Sequence, residues 1–185
     1  MGNDSVSQIF RLEGPAAVIY FRGAPHLHAF INIGMDGNRP LSVGEVIANN
    51  PAPIEGSAIK ALFERALLVQ TGADFAYYPA GNVAERLRAG PIRTGDIYSL
   101  ESWQDFAAVV QLRARDIGGP LLAQLRAQGH QLSLNRTYSI ATSVYIANER
   151  ARDDLGATGT WERMGRLRDV LIDYIRSHGL RTVAT

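Results

Sequence analysis

The segment near the C-terminus constrains the fold most. Leu167, Val170, Leu171, Tyr174 and Ile175 recur at helical spacing, Thr160 stands upstream as a cap, and Gly179 ends the run. A helix with one apolar stripe has to bury it, and two runs rich in β-branched and aromatic residues, Phe106 to Leu112 and Tyr138 to Ala147, read as strands that can receive it. A second helix is predicted from Ile59, Leu62, Phe63, Ala66 and Leu67, with Ser57 as N-cap and Gly72 as terminator. A third carries Leu121, Leu122 and Leu125, opened by Pro120 and closed by Gly129. Asp74 to Tyr78 suits a buried strand.

Upstream, Ala16 to Tyr20 and Ala29 to Ile33 read as two strands about the turn Gly23-Ala24-Pro25. Met35-Asp36-Gly37-Asn38 is a turn signal, and Ser42-Val43-Gly44-Glu45 has capping-box spacing, which predicts a short helix after it. Asn49 to Pro53 reads as a connector. Strands and helices mix without strict alternation, so the expected class is α+β: a single domain with a mixed sheet packed by helices. The expected partition is a tail over 1–10, a strand-and-turn region over 11–53, and the main domain over 54–180.

With 46% apolar and 20% charged residues the chain is a globular protein with a core to bury. A net charge of +1 gives no general attraction to nucleic acid or to an anionic membrane, so neither is an expected partner. Lys60 is the sole lysine, and every other basic side chain is arginine. The absence of cysteine excludes disulfides, thiolate metal sites and a cysteine nucleophile. The polar start, Met1-Gly2-Asn3-Asp4, leads into no apolar segment of the kind that directs export, and the expectation is a cytoplasmic protein.

Four blocks, in order, resemble the C-terminal domain of the 5'-nucleotidases. Thr71-Gly72-Ala73-Asp74-Phe75-Ala76 is similar to that family's "tGADiA", and Ala89-Gly90-Pro91-Ile92-Arg93-Thr94-Gly95-Asp96-Ile97-Tyr98 to its "aGpiTygDly". Trp103-Gln104-Asp105 falls where the family writes Phe-Gly-Asn, and Tyr138 to Ala147 resembles "YkvatndfLa". The resemblance implies a substrate-binding domain whose enzymes, mostly exported, hydrolyse phosphoesters with two metal ions held in a separate N-terminal domain. This sequence has no Asp-x-His and no Gly-Asn-His-Glu to build such a site, so catalysis by the chain alone is not expected. His26-Leu27-His28 is similar to the Gly-His-x-His of the metal-binding part, with Pro25 in place of its Gly. On a strand the two histidines would share a face, but two ligands leave a metal short. No cofactor is expected. Gly-x-Ser-x-Gly and phosphate-loop patterns are absent as well.

In the resembled family two aromatics sandwich the base, an Asn and an Asp reach its polar edge, and arginines hold the anionic and sugar groups. Carried onto this sequence, the aromatics fall on Trp103 and Tyr145, and the Asn becomes Asp105, an acceptor without the amide's donor. Ala151 stands where the Asp belongs, in Glu149-Arg150-Ala151-Arg152, and Ala84 replaces an arginine in Gly81-Asn82-Val83-Ala84. Arg86, Arg88, Arg150 and Arg152 are the candidates to hold an anion instead. Three readings follow. The chain binds a nucleoside or other planar ligand between Trp103 and Tyr145; or it supplies substrate recognition to a separately encoded metallophosphatase or a longer enzyme; or it is a degenerate structural relative, with Trp103 buried and Arg150 or Arg152 plugging the cleft.

Overall fold

The computed structural model describes residues 9–11, 16–20, 28–32, 35–36, 39–40, 44–82, 86–101 and 103–180. Two compact units make up the chain, Met1–Glu45 and Val46–Thr185.

In the first unit β1 (Ile9–Arg11), β2 (Ala16–Tyr20) and β3 (His28–Asn32) form an antiparallel sheet in that order. Ile9 pairs with Ile19, and Tyr20 with His28. The two strands expected about Gly23-Ala24-Pro25 are therefore present, and the paired residues extend back to Ile9 and Phe10, at the end of the segment read as a tail. β4 (Met35–Asp36) and β5 (Arg39–Pro40) pair across the turn signal, whose residues 37–38 lie outside the described residues.

The second unit opens with β6 (Val46–Asn50), which pairs with β10 (Gly90–Arg93). The helix expected after Ser42-Val43-Gly44-Glu45 is this strand instead. Residues 42 and 43 lie outside the described residues, and Val46 and Ile47 supply β-branched side chains that suit a ladder. β7 (Ile54–Glu55) pairs with β9 (Arg86–Leu87). Helix α1 (Ser57–Thr71) buries Ile59, Leu62, Phe63, Ala66 and Leu67, as the spacing predicts. Gly72 closes it in the left-handed conformation at φ 64°, its N–H donating to the Leu68 carbonyl at 2.9 Å. Ser57 is the first helical residue rather than the cap; Gly56 occupies the cap position and makes no side-chain cap bond.

β8 (Phe75–Ala76) is shorter than the strand expected over Asp74 to Tyr78. The block Gly90 to Tyr98 supplies β10 and then α2 (Thr94–Leu100), where the Arg93 N–H donates to the Asp96 carboxylate at 2.7 Å. β11 (Phe106–Arg113), α3 (Gly119–Ala127) and β12 (Thr137–Ser143) follow the predicted pattern, with Leu121 and Leu125 buried. The strand expected through Ala147 stops at Ser143. A π-helical segment, Ile146–Leu155, comes next, begun by the Ile146 N–H donating to Ser143 Oγ at 3.3 Å. Thr160 caps no helix: it opens β13 (Thr160–Arg166), and α4 (Leu167–His178) starts only at Leu167. The buried stripe of α4 is nonetheless the one read from the sequence, and Gly179 ends it.

The main sheet runs β13-β11-β12-β8, antiparallel except where β8 lies parallel to β12, so it is mixed. Ala107 and Ala141 belong to a core shared with α1 and α4. Ala108, Val110, Leu112, Tyr138 and Ile140 point the other way, into a second core with α3 and the π-helical segment. The strand period of two separates the layers. Among the described residues no helix is long and apolar enough to cross a membrane.

Candidate functional site

Strand register gathers the site at one end of the sheet. Ala107 pairs with Ser143, so the loop just before β11 and the segment just after β12 meet there. The first carries Trp103, Gln104 and Asp105, the second Tyr145. Ala76 pairs in parallel with Ala141, and the Tyr77 N–H donates to the Ala141 carbonyl at 2.9 Å, which brings Tyr78 to the same end. Among the described residues, Tyr78, Trp103, Gln104, Asp105 and Tyr145 line a cavity of about 390 Å³, within the range that holds a small ligand.

Trp103 is 78% exposed and Tyr145 48% exposed. Two large amphipathic rings left in solvent at a cavity mouth are surfaces without a core to fill. The degenerate reading required a buried Trp103 and an arginine plug, and the structure has neither. Trp103 stands open, while Arg150 is engaged by Asp154 at 3.4 Å and Asp153 at 3.6 Å.

Asp105 joins the two aromatic segments. Its carboxylate accepts the Tyr145 N–H at 3.1 Å and the Phe106 N–H at 2.7 Å. Its own N–H donates to Glu101 Oε1 at 3.2 Å, and its carbonyl accepts the Leu167 N–H at 3.0 Å. Asp105 therefore ties loop, strand and helix together while it lines the cavity. Glu101 behind it is 1% exposed, and burial pushes its carboxyl above the ordinary range, with the Asp105 charge adding to the rise and Arg168 opposing it.

Sequence reasoning does not single out Tyr78 or Gln104. Tyr78 forms the inner wall, 2% exposed and stacked on Phe63 with ring centroids 4.7 Å apart. Its backbone N–H donates to Glu64 Oε1 at 3.0 Å, and burial drives its hydroxyl to titrate well above the usual tyrosine range. Glu64 in turn pairs with Lys60, whose ammonium also donates to Gln124 Oε1 at 2.6 Å. The lone lysine thus braces the wall from α1 to α3. The only signal for Tyr78 is its place two residues past a block whose Ala76 is buried. Gln104 takes φ +55°, uncommon for a residue other than glycine.

The other candidates lie elsewhere. Arg86 pairs with Glu55 at 3.1 Å, Arg88 and Arg152 are exposed, and none of the four arginines lines the cavity. His26 lies outside the described residues, and His28 is a backbone position in β3. Among the described residues no cluster of three or more His, Asp or Glu is arranged to hold a metal.

No family model matches the sequence, and no curated protein matches it. Solved structures do match. A 5'-nucleotidase precursor from Thermus thermophilus superposes with TM-score 0.58 at 16% identity, over 72% of this chain and 36% of that one. A protein of Staphylococcus aureus assigned to the 5'-nucleotidases matches with TM-score 0.52 at 11% identity, over 92% of this chain and 48% of its own. The NAD nucleotidase of Haemophilus influenzae matches with TM-score 0.50 at 12% identity, over 75% of this chain and 35% of its own. The chain thus has a fold found in 5'-nucleotidase structures, consistent with the C-terminal domain that its sequence blocks resemble, and it spans about a third to a half of those proteins.

Proposed function

We infer that this chain is a ligand-recognition domain that takes the planar ring of a nucleoside-like molecule between Trp103 and Tyr145. The observation that carries this reading is that two exposed rings line one cavity, with the Asp105 carboxylate beside them bonded to the Tyr145 backbone. Stacking on aromatic faces contributes about 1–3 kcal/mol per base and tolerates any base. Among the described residues no arginine lines the cavity, so a 5'-phosphate gains no charge-assisted pair on entry. Calorimetric titration with adenosine and then AMP tests this. Binding of adenosine with no gain for AMP, lost on Trp103→Ala, is the expected result; absence of heat with either ligand would sink the reading.

A second reading has its own support, because the chain spans only 35–48% of the solved proteins it matches. In it the cleft presents substrate to a metallophosphatase part, supplied by another chain or by a longer form of this one. Phosphate release from AMP that needs both this chain and a co-purifying metallophosphatase would favour it over stand-alone binding.

A further inference from the structure

We propose that the cleft selects a positively charged planar heterocycle, such as an N-alkylated purine nucleoside, over its neutral counterpart. This rests on the ring-binding reading above and names the charge state the site prefers. Among the described residues, three aromatic side chains, one amide and one carboxylate line the cavity, and no cation does. Aromatic faces carry negative quadrupole potential and attract cations, so a charged ring between Trp103 and Tyr145 gains more than stacking alone. Asp105 adds a fixed negative charge at the same wall. Its oxygens are held by the Phe106 and Tyr145 N–H groups, which keep the carboxylate in place.

Among the described residues, the cations nearest this wall do not line the cavity. Arg163 and Arg166 lie over the Phe106 ring at 3.4 Å and 5.3 Å, and Arg168 lies 4.7 Å from the Tyr98 ring centre. Arg150, five residues on from Tyr145, is paired with Asp153 and Asp154. A neutral base therefore meets an acid it cannot neutralise, and a cationic base meets a complement. Gln104, at the cavity lining, offers an amide donor and acceptor to either ligand and does not discriminate by charge.

Three probes separate charge from size: adenosine, the neutral N6-methyladenosine, and N1-methyladenosine, which is cationic at neutral pH. Calorimetry on the full chain is expected to give N1-methyladenosine a Kd about tenfold lower than adenosine, with N6-methyladenosine close to adenosine. Asp105→Asn keeps one acceptor oxygen for the Tyr145 N–H, gives up the one that takes the Phe106 N–H, and should remove most of that preference. Gln104→Arg leaves the Asp105 bonds untouched, places a cation at the mouth, and should abolish the preference, read as the ratio of the adenosine and N1-methyladenosine dissociation constants measured on that variant. Equal affinity for adenosine and N1-methyladenosine would overturn the charge inference and leave ring binding standing. No binding of any of the three would overturn both.

Discussion

Two aspartates do similar work at two places in the main unit, with opposite results. Asp74 accepts the Ser139 N–H at 2.9 Å and the Ser139 hydroxyl at 2.9 Å, and Arg136 closes on its other oxygen. That junction fixes β8 parallel to β12, and around it Ala76, Tyr77, Tyr138 and Ile140 are buried. Asp105 accepts the Tyr145 N–H across a similar break in sequence, yet the rings beside it remain in solvent. One carboxylate closes a sheet edge, the other holds a cleft open. Both lie in blocks that resemble the same enzymes, so the resemblance mixes residues that specify a fold with residues that present a surface.

The largest effect belongs to the packed side. Gly156 ends the π-helical segment at φ +98°, and a Cβ there would collide with the Gly118 backbone nitrogen and stand 2.8 Å from the Asp116 carbonyl oxygen. Backbone cannot retreat as a side chain can, so Gly156→Ala is expected to cost about 3 kcal/mol or more. Urea denaturation measures it, and a loss below about 0.5 kcal/mol would place this turn with ordinary surface sites. Next comes Asp74→Ala, which leaves the Ser139 N–H without its acceptor and is expected to cost about 1–3 kcal/mol of stability. Adenosine affinity should not change, because Asp74 does not line the cleft. A variant that weakens binding without destabilising the protein would break the division between the two aspartates.

How far the fold was legible follows from which forces are local. The buried stripes of α1 and α4 were readable because each is one face of a 3.6-residue period: Phe63 and Leu67 are fully buried, as are Leu167 and Leu171. Boundaries set by tertiary pairing were not. Thr160 to Arg166 is polar and mostly exposed, and it becomes a strand because β11 offers partners from Gln111 to Phe106. The π-helical segment carries Ala147, Ala151 and Leu155 four residues apart, a spacing that marks a helical face without telling an α-helix from a π-helix, and Ser143 was the one local clue to its start. In the site, Trp103 and Tyr145 were legible only through their place in the resembled blocks. Tyr78 was hidden because its role comes from a parallel strand pair, and no local pattern encodes such a pair.

On the open side, Trp103→Ala should leave stability within about 0.5 kcal/mol, because a side chain 78% exposed gives up little burial on truncation. The same change is expected to remove about 1–3 kcal/mol of adenosine binding. Urea denaturation and calorimetry on one preparation read both numbers. A large loss of stability would show that the ring packs in solution and would move Trp103 to the closed side of the comparison.

The smallest expected effect is a pH signature that separates the two regions. Hydrogen bonding from the Ser139 backbone holds the Asp74 carboxyl below its ordinary value of 3.8, even against its partial burial. The stability it contributes is present above that value and lost as pH falls through the lowered one. Glu101, behind the cleft, is raised above its ordinary 4.5 by burial, so its contribution is full below 4.5 and lost as pH rises through the raised value. Asp74→Asn should therefore differ from the parent in pH dependence only on the acid side of 3.8, and Glu101→Gln only above 4.5. Gln keeps the oxygen that accepts the Asp105 N–H, so this comparison changes charge and leaves the loop anchored. Stability curves for the three proteins across that range would resolve the two windows. If Glu101→Gln instead tracked the parent at every pH, the desolvated carboxyl would not be the group that opposes folding near the cleft.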